Sequence, residues 1–281
     1  MSLSQPTRFF KAVAILVLLL WTAAVLYPLL WTLLSALKDN PQFLTNKPWS
    51  LPETPLHWNH FSYVWKTYHF GDYFLNSVYV TVISSVLAIL LSATTAYVFA
   101  RFEFKGSQAM YFVYISAMMI PLILGLVPLF FLLNDFHLIN KLNGLVVVYT
   151  AWALPFGVFV LFGFFKTLPK ELEEASYMDG AGFFRTFFQI MLPMARSGIV
   201  SIAIMNALSN WNEYIMGTIF INEPAKYTLP VGIAIMQAEM QYRTEWGPLF
   251  AGLLISMVPV ILVYILFQRQ IAEGITAGAV K

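Results

Sequence analysis

Cysteine is absent from all 281 residues, and charged side chains make up only 11% of them. The first absence removes disulfides, thiolate metal sites and cysteine nucleophiles together. The second leaves too little charge to cover a soluble domain, in which about a quarter of residues are charged. A net charge of +2 provides no dense basic patch, so no nucleic-acid partner is indicated. The sequence also lacks any Gly-Lys pair, and with it the phosphate-cradling turn of a P-loop, so the chain is expected to hold no ATP-hydrolysing site of its own. No set of nucleophile, base and orienting acid suggests a catalytic residue. His57, Trp58 and His60 lack a further ligand nearby, so no metal is assigned.

What the chain has instead is apolar length: 59% of residues are hydrophobic and the mean hydropathy is +0.71. A bilayer core of about 30 Å takes about 20 apolar residues in a helix, because lipid cannot satisfy exposed backbone amides and carbonyls. Six segments qualify, at 12–37, 73–100, 106–133, 142–165, 197–222 and 246–268, and among them only the fifth carries a formal charge, Glu213. The first follows Arg8 and Lys11 and is too long for the core of a signal peptide, so it is expected to stay as a membrane helix. The expected fold is all-α and polytopic, with six transmembrane helices in a single domain. Arg8, Lys11, Arg101, Lys105, Lys166, Lys170, Arg185, Arg196, Arg269 and Lys281 fall on the side of the termini. Lys38, Lys47, Lys66, Lys141, Lys226 and Arg243 fall opposite. The excess of basic residues predicts that both termini are cytoplasmic.

Two connections are long. Residues 38–72 would be external, and residues 166–196 would be cytoplasmic and read as helix, turn, helix. In the second, EEASYMDGAGFFRTFFQIMLP follows Pro169, which suits a first helical turn, and Glu171, Glu173 and Glu174 lie near that helix's positive end. Gly180 and Gly182 then interrupt it, and Phe183, Phe184, Phe187, Phe188 and Ile190 form an apolar stretch suited to a membrane surface. Ala175, Ser176, Gly180 and Ala181 would give a small face open to close docking. The residues alone leave an ordinary interfacial helix equally open.

The same residues resemble the EAA signature of ABC importer permeases, EAA-x3-G-x9-I-x-L-P, with Glu174, Ala175, Ser176, Gly180, Ile190, Leu192 and Pro193 in register and Ser176 in place of the second alanine. The resemblance implies a type I importer permease fold. It makes 166–196 a coupling loop that seats Glu174, Ala175, Ser176, Asp179, Gly180 and Ala181 against an ATPase subunit. SNWNEYIMGTIF and KYTLPVGI, at 209–220 and 226–233, and the ending QRQIAEGITAGAVK look like the carbohydrate-uptake, maltose-type branch, and the chain is most similar to its smaller, six-span permease. That branch implies a bacterial inner-membrane location, a second permease subunit, two ATPase subunits and an extracytoplasmic solute-binding protein. The substrate would be a sugar or oligosaccharide. ATP and Mg would be bound by the ATPase subunits and no cofactor by this chain, whose tail would reach toward the ATPase dimer. Two alternatives remain: an ABC permease for a non-sugar solute, and an ion-coupled secondary transporter using Glu213. The latter leaves the EAA loop unexplained.

Within the fifth segment, Asn206, Asn210 and Glu213 stand at i, i+4 and i+7 and share a helical face that Gly217 continues, with Trp211, Asn212 and Tyr214 beside it. Aromatic rings next to amides suit a sugar, so these residues are candidate pathway lining. The other reading gives the asparagines to hydrogen bonds with the second permease and Glu213 to the external interface. Pro121, Pro128, Pro155, Pro248 and Pro259 suggest bent or broken helices around a cavity, or plain packing.

Overall fold

The computed structural model describes residues 8–242 and 244–279, with side chains to Gln270. Arg243 and Lys281, counted above among the basic residues, lie outside the described residues. So do the tail side chains beyond Gln270, on which the expected reach toward an ATPase dimer depends.

Fourteen α-helices are found among the described residues. They are α1 (Arg8–Ala36), α2 (Asn40–Thr45), α3 (Asn59–Thr67), α4 (Phe70–Arg101), α5 (Ser107–Ser116), α6 (Leu122–Asp135), α7 (Leu142–Thr167), α8 (Glu171–Met178), α9 (Phe183–Thr186), α10 (Leu192–Met194), α11 (Arg196–Asn212), α12 (Ile215–Phe220), α13 (Leu229–Glu239) and α14 (Trp246–Ala279). Four of them, α1, α4, α7 and α14, are long and apolar enough to cross a membrane, and six spans result if each of two bent helix pairs counts as one.

The first pair bends by 105° between 119 and 122. Ile120 adopts an extended conformation, as the residue before a proline prefers, and Pro121 offers no amide hydrogen to continue the ladder. Pro128, Pro155 and Pro259 lie inside continuous helices, and Pro248 falls in the first turn of α14. The second pair joins Phe183–Met194 to α11 with a 74° bend. The stretch expected as one span over 197–222 is itself divided, because α11 stops at Asn212, Glu213 is extended and α12 begins anew at Ile215.

The chain forms two compact units, one of Met1–Phe70 with Ile235–Met257 and one of Gly71–Ala234 with Val258–Lys281. In the first, the carbonyls left open at the end of α1 are met by side chains and loops. His60 Nδ1 lies 2.8 Å from the Ala36 carbonyl, which can only accept, so the ring carries its proton on that nitrogen. The amide of His57 donates to Leu37 O. Phe43 stacks on Phe250 and Trp246, while the Asn40 side chain bridges Thr244 O and the Trp246 amide. His57 stacks on His60 and approaches Asp39 to 4.0 Å.

The second unit is built on α4, α7 and α11. Small residues along α4, Ala88, Ser92 and Ala96, are fully buried and let α7 come close. A Cβ on Gly157 would sit 2.3 Å from Ser92 Oγ, so only glycine fits at that contact. Where lipid tails are as apolar as leucine, such small-residue contacts and the dispersion they permit hold helices together. At one end of this unit Tyr97, Phe165, Phe187 and Met191 form a buried cluster, and Val80, Leu145, Tyr149, Met216 and Phe220 form another.

Candidate functional site

The connection after α7 is shaped by its prolyl step. Leu168 is extended before Pro169, which ends α7 and aims the chain into α8. α8 closes with a Schellman turn: Ala181 N donates to Ser176 O and Gly180 N to Tyr177 O, both at 3.0 Å. Gly180 has φ +77°, the left-handed conformation this turn demands, and no atom lies within 4 Å of where its Cβ would be.

The register of α8 sorts its side chains. Leu172, Glu173 and Ser176 turn inward, whereas Glu171, Glu174, Ala175, Tyr177, Met178, Asp179 and Gly180 are exposed, with Ala181 half-buried. Ser176 was expected on the docking face, but it is buried. Thr186 Oγ1 donates to Gly182 O, so it receives the Ser176 hydroxyl at 2.8 Å, tying α8 to α9. A small residue at 176 therefore serves packing within the chain, and the hydroxyl explains why serine rather than alanine suits that position here. Of the apolar run, Phe184 and Phe188 are exposed and continue the surface of the loop, whereas Phe187 is buried in the core with Ile190 packed against it.

Tyr97, which the spacing did not single out, and Arg101 and Glu173, noted above only for their charge, position this loop. The Tyr97 hydroxyl donates to Glu173 Oε1 at 2.6 Å, Arg101 Nε lies 3.3 Å from Glu173 Oε2, and Arg101 Nη2 donates to Leu168 O at 2.8 Å. The available signal was a charge at the end of a membrane segment facing an acidic helix. Which of three neighbouring glutamates it would meet depends on helix register, which spacing alone does not give.

The polar face of α11 is turned inward. Asn206 is buried and its Nδ2 has no hydrogen-bond partner among the described residues. Asn210 Nδ2 donates to Ser84 Oγ at 2.9 Å, and Trp211 packs edge-on against Phe74. Glu213 Oε2 accepts the Tyr149 hydroxyl at 2.5 Å and the Gly217 amide at 3.2 Å, and Oε1 accepts the Met216 amide at 2.8 Å. It thus caps α12 and fastens it to α7. Helical spacing puts Asn206, Asn210 and Glu213 on one face; Asn206 and Trp211 are buried, while Asn210 and Glu213 are half-buried and bonded to hydroxyls on α4 and α7. Of the six candidates only Asn212 and Tyr214 are exposed, beside Met205 and Ser209.

Comparison with known proteins follows from this arrangement. The family model described as "Binding-protein-dependent transport system inner membrane component" matches residues 86–276. The chain belongs to that family. This inner membrane component is accordingly a multi-pass transport subunit without a catalytic role. It is 42% identical over 280 residues to the diacetylchitobiose uptake system permease protein NgcG of Streptomyces coelicolor, covering 99% of this chain and 91% of that one. To the trehalose/maltose transport system permease protein MalG of Thermococcus litoralis it is 30% identical over 258 residues, covering 91% of each. The fold is similar to that in the crystal structure of a bacterial ABC transporter that imports the polysaccharide alginate. The TM-score is 0.80 at 20% identity, over 95% of this chain and 98% of that one.

Proposed function

We propose that this inner membrane component is the smaller permease of an ATP-driven importer for a sugar or oligosaccharide. It forms the pathway with a second permease, receives solute from a binding protein and is moved by two ATPase subunits that bind ATP and Mg. Both termini and the 166–196 loop lie on the cytoplasmic side in this reading. The observation that carries it is the loop itself: α8 is fixed from within by Glu173 and Ser176, while Glu174, Ala175, Asp179 and Gly180 stay exposed for an ATPase cleft. The sugar assignment rests on relatives whose names refer to diacetylchitobiose and to trehalose and maltose. Asn212 and Tyr214, with Met205 and Ser209, are the α11 residues open to the pathway or to the second permease. Glu213 is committed to three donors inside the chain, which speaks against its use as an ion-coupling carboxylate.

The test begins with purification of the tagged chain from its native membranes and identification of the subunits that come with it. Uptake of labelled chito- and malto-oligosaccharides by the reconstituted complex is then measured. Uptake should require ATP and survive collapse of the proton gradient. Uptake that persists without ATP, or a complex that takes up none of these sugars, overturns the respective half of the proposal.

A further inference from the structure

We propose that Glu173, held by Tyr97 and Arg101, is the joint through which a displacement of α8 is passed to α4, which makes these three positioning residues for transport. The inference rests on the reading of α8 as the coupling helix and goes beyond it by naming the path of the motion. Three observations support it. The Arg101 and Glu173 side chains are only 5% and 13% exposed, so the ion pair is shielded from water and salt. Arg101 also holds Leu168 O, so one guanidinium fixes both the entry to α8 and its first turn. Around the Tyr97 hydroxyl the ring is packed by Phe165, Phe183 and Phe187, at centroid distances of 5.4, 5.8 and 4.9 Å. Movement of α8 away from α4 would strip the Tyr97 hydrogen bond and the Arg101 charge from a shielded carboxylate, so the two are compelled to move together. α4 is one uninterrupted helix of 32 residues, about 48 Å at 1.5 Å per residue, so a push at Arg101 reaches its far end. A buried ion pair is weak evidence for stability alone, and removing its charge without changing its volume separates the two roles.

The experiment uses the complete transport complex in proteoliposomes and reads solute imported per ATP hydrolysed. Glu173→Gln keeps the size and an acceptor for Tyr97 but removes the ion pair. Tyr97→Phe keeps the packed ring and removes only the hydroxyl, and it decides the matter if the first variant fails to assemble. In either variant the ATPase should still co-purify and hydrolyse ATP, while import per ATP falls about tenfold, the scale of one lost hydrogen bond to a charged group. An unchanged ratio in an assembled variant overturns the joint and leaves the coupling reading intact. Loss of the ATPase already from the wild-type chain would instead sink the coupling reading. Because the chain lacks cysteine, Tyr97→Cys with Glu173→Cys provides a clean pair for a cleavable bifunctional thiol reagent that spans the length of the two lost side chains. The bridged form should couple better than its reduced form. If bridging blocks import, the two helices separate during the cycle and the proposal fails.

Discussion

The two ends of α7, about 39 Å apart at 1.5 Å per residue, are fastened in different ways. At the Thr167 end the chain relies on a shielded ion pair set in an aromatic cluster, with α8 laid across it. At the Leu142 end it relies on amides. Asn140, at φ +58°, donates its backbone N–H to Phe220 O at 2.8 Å, accepts the amides of Asn222 and Glu223 on Oδ1, and donates Nδ2 to Glu223. Asn76 holds Ala225 O and Tyr227 O in the same manner. Water can replace the partners of an exposed amide clamp at little cost, whereas a buried carboxylate has no substitute for its donors. The first kind of fastening suits a surface that is only held in place, the second one that must transmit force.

Breaking the buried end should have the largest consequence. Arg101→Ala leaves Glu173 buried without its cation, a change that typically costs about 3–5 kcal/mol. It should lower the yield and thermal midpoint of the detergent-purified chain below those of Glu173→Gln, which leaves Arg101 without its anion but keeps the guanidinium's bond to Leu168 O and an acceptor for Tyr97. Equal midpoints for the two variants would mean that the bond to Leu168 O does not help to hold α8.

Gly180→Leu comes next. Forcing a side chain into the left-handed conformation costs about 1–2 kcal/mol, and nothing within the chain lies in its way, so insertion should survive. A partner cleft would meet the new side chain directly, at an overpacking cost of about 1–3 kcal/mol. ATPase recovered by co-purification, or uptake per ATP, should fall about tenfold, and wild-type values in both would remove α8 from the docking surface. Glu174→Ala should do less, since a single exposed charge contact contributes little.

How much of this contrast the sequence carried depends on what spacing can encode. Long apolar runs gave the membrane helices, since lipid leaves the backbone no other way to satisfy its polar groups. The EAA spacing marked α8, its glycine and the proline beyond. Register and side were not encoded. Nothing in the order Glu171, Glu173, Glu174 tells which one meets Arg101, and nothing in Asn206, Asn210 and Glu213 tells that Ser84 and Tyr149 wait on neighbouring helices. The break at Glu213 was hidden for the same reason: the segment is long enough for one span and apolar residues resume at Ile215, while the residue that follows α11 caps α12 with its own carboxylate.

At the amide end, the effect of Asn140→Ala should be smaller than either change above. It removes three side-chain hydrogen bonds that are exposed and partly replaceable by water, and it places alanine at a left-handed φ. Asn140→Gly loses the same bonds without the conformational penalty, so the difference between the two variants in thermal midpoint isolates the backbone part, about 1 kcal/mol. Uptake should change little in either, because the clamp only holds its surface in place. A loss of uptake as large as that in Gly180→Leu would show that this end transmits force too.

The smallest effect belongs to the ion pair beside that clamp. Lys226 donates to Glu223 and, with its charge, holds the carboxyl below its ordinary value. A depressed carboxyl favours the folded state above its unfolded value, about 4.3, and the benefit fades as pH falls through the lower folded value. Wild type and Lys226→Met should therefore differ slightly in thermal midpoint near neutral pH, and the difference should vanish once the pH falls below the lowered folded value. Since Glu223 lies on the surface, salt should abolish the same difference at neutral pH, which it cannot do for the shielded pair at Arg101. A salt response of equal size at both pairs would mean that the two ends of α7 are fastened alike, and the distinction between a clamp and a joint would lose its physical basis.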